Sequence, residues 1–230
     1  MLAELGDPRL PVVNISAGVH GDEPAGVWAL LSLVADGLLD PRYSYRLWPC
    51  FNPTGFAAGT RTNAEGTDVN RTFGRGGTSP EAKAILTANR DRVFELAIDL
   101  HEDHEADGFY LYETAPSGWR GSYARPITAG MAAAGFPLQN FAPEFELGPP
   151  GSEAAQTRGS GAVLVDATRE APFFKGALPL GLVLVRRAVP CALTFETPRS
   201  RDPAERVAMH RVAVVEALRQ LSGEGNGNHA

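Results

Sequence analysis

Apolar residues along this chain gather in short runs rich in β-branched side chains. Between those runs lie segments whose apolar positions return every three to four residues. The runs predict strands over Leu10–Val19, Tyr43–Phe51, Glu95–His101, Phe109–Tyr112 and Gly181–Glu196, the last read as two strands broken near Val189-Pro190. The intervening spacing predicts helices over Glu23–Asp36, Pro80–Phe94, Ser122–Ala134 and Pro203–Leu221. Asp202 ahead of Pro203 is a capping residue before a proline at the first helical position. Ala204, Val207, Ala208, Arg211, Val212, Val215, Ala217 and Leu218 then form a stripe expected to serve core packing.

Strands alternating with helices predict an α/β fold, a single domain with a mixed, mostly parallel sheet and helices on both faces. Two stretches read as long loops: Asn52–Gly77, rich in Gly, Thr and Asn, and Pro137–Gly161, which holds Pro143 and Pro149-Pro150. Loops of that length in a compact domain serve function or are disordered. The domain is expected to span residues 1–221, followed by a disordered tail over 222–230.

Composition narrows the function classes. At 230 residues and 43% hydrophobic content the chain can bury a substantial core. A net charge of −6 and scattered basic residues argue against a nucleic-acid partner. No run approaches the length of a membrane span, so no membrane partner is expected. MLAELGDPRLP lacks the basic start and cleavage site of a secretory signal, and Cys50 and Cys191 sit in apolar runs as buried thiols. A cytoplasmic location is the resulting expectation.

The chemistry is carried by His20, Glu23, His101 and Glu196, set in GVHGDEPAG, DLHED and TFETP. His20 and Glu23 stand three apart, where a tight turn entering a helix can aim both at one point. His101 and Glu196 each close a predicted strand, and in open α/β sheets sites lie at the carboxyl ends of strands. Two imidazoles and a carboxylate make a three-ligand zinc site with a coordination position left for water. Glu196, as a fourth carboxylate outside the ligand set, is the candidate general base. The chain therefore reads as a zinc hydrolase holding one Zn2+.

HGDE, NPTG, RTNAEGTDVNRTF, DLH and TFE, in this order from Val12 to Pro198, resemble the zinc carboxypeptidases. That resemblance implies His20, Glu23 and His101 as zinc ligands, with Asp68 fixing the tautomer of His20. It implies Arg61 beside the zinc as stabiliser of the developing oxyanion, and Asn70 and Arg71 as the clamp for a free substrate carboxylate. Peptide-cleaving members carry a Tyr on a mobile loop before the catalytic Glu. Here Phe173-Phe174 occupy that region, and no Tyr follows Tyr123.

The reading is a metallocarboxypeptidase-like hydrolase acting on a small peptide or N-acyl amino acid with a free carboxylate. Compact size and the missing Tyr keep open an N-acyl amino-acid deacylase, resembling succinylglutamate desuccinylase or aspartoacylase, or an amidase on murein-derived peptides. A metal- or peptide-binding module without catalysis is the reading from another class. Asp99, on the same strand face as His101, is either its hydrogen-bond partner or merely satisfied at the strand end. His104 and its acidic neighbours read as a solvated rim.

Overall fold

A computed structural model describes residues 1–74, 77–119, 122–141, 155–157 (backbone), 161–168 and 177–223. Its centre is an eight-stranded sheet: β1 (Ala3–Leu5), β2 (Val12–Ala17), β3 (Ser44–Trp48), β4 (Leu96–Asp103), β5 (Tyr110–Ala115), β6 (Ala155–Thr157), β7 (Ala162–Asp166) and β8 (Ala192–Pro198). Their order across the sheet is β1-β3-β2-β4-β8-β5-β7-β6. The β3-β2-β4-β8 block is parallel, as is the β5–β7 pair, while β1–β3, β8–β5 and β7–β6 are antiparallel. Helices α1 (Pro24–Ala35), α2 (Pro53–Ala58), α3 (Pro80–Ala88), α4 (Ala124–Ala133), α5 (Leu180–Arg186) and α6 (Pro203–Leu221) complete the set.

Alternation along the central strands divides the sheet into two unlike faces. Val13, Ile15 and Ala17 of β2, Ile98 and Leu100 of β4, and Leu193 and Phe195 of β8 face a continuous apolar core. That core is closed by Leu30 and Leu33 of α1, Ile127 and Met131 of α4, and Met209, Ala213 and Val214 of α6. The opposite face carries Ser16, Asp99, His101, Thr194 and Glu196 in register. A second core, including Phe73, Ile85, Leu182 and Val185, packs on this side of the sheet. Polar side chains on a covered face of parallel strands are costly unless paired.

Two expectations need correction. Gly181–Glu196 is not two strands: residues 180–186 form α5, and only β8 is a strand. The run LGLVLVR is apolar nearly throughout, so spacing cannot separate a short buried helix from a buried strand. Tertiary contact decides it, because the Asn70 side-chain oxygen accepts the Leu180 N–H at 3.2 Å and anchors the helix start. Secondly, Asn52–Gly77 is not structureless, since it holds α2 and a 3-10 turn over Val69–Arg71. Most of Pro137–Gly161, Phe173-Phe174 and the tail beyond Gly223 lie outside the described residues. Among the described residues no helix is long and apolar enough to cross a membrane.

Candidate metal centre and active site

The turn after β2 delivers His20 and Glu23. Gly21 lets it pass against α2: a Cβ there would stand 1.9 Å from the Gly55 carbonyl carbon and 2.2 Å from the Phe56 nitrogen. HGDE and NPTG are thus two halves of one contact, with Asn52 capping α2 by accepting the Gly55 N–H at 2.9 Å. Glu23 occupies the N-cap of α1 but makes no capping bond. Its carboxylate turns instead to the imidazoles, with Oε1 2.7 Å from His20 Nδ1 and Oε2 2.9 Å from His101 Nδ1. The cap comes from β4, where Glu102 Oε1 accepts the Ala25 N–H at 2.7 Å.

Metal-ligand atoms of His20, Glu23 and His101 lie within 4.8 Å of one another, and all three residues are buried. Each imidazole has its far nitrogen held by a carboxylate. His20 Nε2 is 3.1 Å from Asp68 Oδ1, and His101 Nε2 is 3.0 Å from Asp99 Oδ2. With a metal bound, this pairing would hold the proton on Nε2 and leave Nδ1 as the donor atom, the pattern that orients histidine ligands. Asp99 is itself fixed by the Ser16 hydroxyl at 2.7 Å. Two imidazole nitrogens and a carboxylate oxygen, buried and oriented from behind, fit a divalent metal by the chemistry of the donor set.

Charge coupling within the cluster is strong. Burial opposes ionisation of Glu23, yet His101 and His20 hold its carboxyl well below the usual range. Burial likewise disfavours protonation of His101, but Asp99 and Glu23 outweigh it and raise the imidazole well above its ordinary value. Asp68 is pushed up by burial and pulled further down by His20, Arg61 and Arg71.

Glu196 stands beside His101 in the β4–β8 register and points to the same face. Burial raises its carboxyl, His101 partly offsets this, and Glu23, Asp103 and Asp99 raise it further, to about 8. Such a group can take and return a proton near neutrality. Arg61 reaches Asp68 Oδ2 through Nε at 3.1 Å and Glu23 Oε1 through a terminal nitrogen at 3.4 Å, which puts its guanidinium at the cluster. Asn70 is buried with its oxygen committed to α5, which leaves its amide NH2 as the donor for a ligand. Arg71, next along the turn, is exposed.

Two groups at the centre are not legible in the sequence. Glu102 is not part of a solvated rim: it is buried, pairs with Arg206 of α6, and its N–H donates to Glu23 Oε2 at 3.1 Å. Tyr110 and Tyr112 rise beside Glu196 from β5, and Asp103 accepts the Tyr110 hydroxyl at 2.7 Å. The alternation Tyr-Leu-Tyr gave a local hint, but the pairing of β5 with β8 places them. His104 and Glu105 are exposed, as the rim reading expects.

Comparison with known proteins bears on family and fold. Residues 9–144 match the succinylglutamate desuccinylase/aspartoacylase catalytic domain, a stretch that includes every residue named at the centre up to His101 but not Glu196. A protein of Shewanella denitrificans, provisionally classed as a metallopeptidase, is 26% identical with a TM-score of 0.73, over 95% of this chain and 78% of its own. A similarly classed protein of Shewanella amazonensis is 25% identical with a TM-score of 0.74, over 96% and 81%. The tripeptide-bound cell shape determinant Csd4 of Helicobacter pylori shares the fold at 16% identity and a TM-score of 0.68, over 96% of this chain and 55% of its own. A comparison with curated proteins gives no match. With more than half its length matched, its fold shared with metallo-carboxypeptidases and a metal-competent His–Glu–His cluster at its centre, the chain belongs to the succinylglutamate desuccinylase/aspartoacylase catalytic-domain family of hydrolases.

Proposed function

We propose that this protein is a zinc-dependent hydrolase that cleaves an amide bond next to a terminal, carboxylate-bearing residue. The observation that carries the reading is the convergence of His20 Nδ1, Glu23 and His101 Nδ1 on one point, with Glu196 beside it on the neighbouring strand. Zinc held by those three residues would polarise the amide carbonyl and make water acidic enough to attack at neutral pH. Glu196 takes the proton of the attacking water and returns it to the leaving amine. Arg61 faces the charge that develops on the carbonyl oxygen. Asn70 and Arg71 grip the free carboxylate, the guanidinium through two parallel hydrogen bonds. Asp68 and Asp99 keep both imidazoles in the tautomer that presents Nδ1.

The family match favours a second reading on the same machinery: removal of an acyl group from an N-acyl amino acid. One experiment separates the two. The protein is loaded with zinc, its metal content is measured, and it is offered a panel of dipeptides, N-acetyl amino acids and N-succinyl amino acids. Release of a free amino acid from dipeptides supports the peptidase, and release of acetate or succinate supports the deacylase. Glu196→Gln should keep stoichiometric zinc and lower kcat by about 10²–10⁴-fold, the usual contribution of a general base. Full activity in that variant, or no stoichiometric zinc in the parent protein, ends the proposal.

A further inference from the structure

Two phenols that the proposed reaction leaves without a role stand beside Glu196. β5 runs antiparallel to β8 with Tyr110 opposite Glu196 and Tyr112 opposite Thr194. Residues directly opposite in a sheet share a face, so both rings rise from the surface that bears the general base. Tyr110 is fixed there: it is 6% exposed, and its hydroxyl donates to Asp103 at 2.7 Å. Its ring meets Tyr112 edge-on at 5.4 Å and Phe141 at 5.3 Å.

Tyr112 is placed differently. It is partly exposed, and the charges of both Glu196 and Arg71 act on its phenol. Burial and the negative charge of Glu196 push that phenol up to about 12, so it keeps its proton across the neutral range. The Tyr110 O–H is already donated to Asp103, so Tyr112 carries the O–H of this pair that a ligand can take up. The two hydroxyls interact with each other, but a charged carboxylate is a stronger acceptor than a phenol oxygen.

We propose that Tyr112 is a substrate-contacting residue that donates its hydroxyl to the terminal carboxylate gripped by Arg71. The proposal rests on the hydrolase reading above and deepens it: recognition of the carboxylated residue comes from a strand as well as from the turn that bears Arg71. Tyr110 acts as a positioning residue, braced by Asp103 and Phe141, and keeps the Tyr112 ring on its bearing. A donor mounted on a paired strand is in place before the substrate arrives, so no loop closure is needed to deliver it.

The test measures binding and turnover. Titration calorimetry on zinc-loaded protein compares N-acetylalanylalanine with its C-terminal carboxamide, in a Glu196→Gln background that stops turnover, with and without Tyr112→Phe. Loss of a charge-assisted hydrogen bond should weaken binding of the carboxylate form by about 10- to 100-fold and leave the carboxamide form unchanged. With Glu196 restored, Tyr112→Phe should raise KM by a similar factor and leave kcat within about twofold, the mark of lost uniform binding. Tyr112→Phe removes a single oxygen, and an unchanged melting temperature shows that the loss is not one of folding. Equal weakening of both ligands, no weakening of the carboxylate form, or no carboxylate binding by the Glu196→Gln parent overturns the proposal. A protein that shows the carboxylate-selective loss but hydrolyses no amide refutes the hydrolase reading while leaving this contact in place.

Discussion

Replacing Arg206 with Met removes the charge partner of Glu102 and leaves a side chain of comparable reach. Glu102 is 4% exposed, with one oxygen on the Ala25 N–H at 2.7 Å and the other on Arg206. Breaking a buried pair from one side costs roughly 3–5 kcal/mol, because the remaining charge sits uncompensated away from water. In a domain of this size each kcal/mol moves the melting temperature by about 2–4 °C. Arg206→Met should therefore melt roughly 6–20 °C below the parent at pH 8. The pH dependence has a definite sign. Burial raises the Glu102 carboxyl above its ordinary value, although Ala25 and Arg206 pull the other way. A raised carboxyl binds its proton more tightly when folded, so its contribution is most favourable below the unfolded pKa and is lost as pH rises through the folded one. Removing Arg206 enlarges that shift, so the deficit against the parent should be smaller at pH 5 than at pH 8. Scanning calorimetry at both pH values is the assay. A deficit under about 2 °C at pH 8, or one equally large at pH 5, refutes the account of a coupled, buried pair.

Other expectations follow from the same geometry. Asp99→Asn keeps a hydrogen-bonding group against His101 but removes its charge, and should weaken zinc binding about 10- to 100-fold in a chelator competition at pH 8; unchanged affinity would reduce Asp99 to a strand-end ornament of the fold. Gly21→Ala places a Cβ 1.9 Å from the backbone of Gly55, where no flexible side chain can yield. It should cost at least about 1–3 kcal/mol by denaturant titration and displace the His20 turn, whereas a variant of parental stability and zinc affinity contradicts that contact.

Much of this architecture is legible in the sequence, because it is written in local patterns. The alternation of apolar runs with helical spacing is a property of neighbouring residues, and α1, α4 and α6 fall within a residue or two of their expected limits. His20 and Glu23 lie three apart on a turn that glycine permits, so their convergence is also nearly local. His101 and Glu196 are far apart in sequence, yet each ends a parallel strand, and the general rule for such sheets brings those ends together.

Where local pattern failed, distant partners had made the choice. The apolar run at 180–186 became a helix because Asn70, more than a hundred residues earlier, caps its first turn. Asp99 could be either partner or bystander until β2 set Ser16 beside it and both fixed the His101 ring. Glu102, one residue beyond His101, points to the other face of β4, where α6 brings Arg206 to meet it and its carboxylate caps α1 in place of Glu23. Tyr112 came to share a face with Glu196 only through antiparallel pairing of its strand with β8. Chain-neighbour physics selects which elements form and which donor atoms are on offer. Strand register and packing, which act between residues with no fixed relation along the chain, select which of those atoms face one another and what charge each one carries.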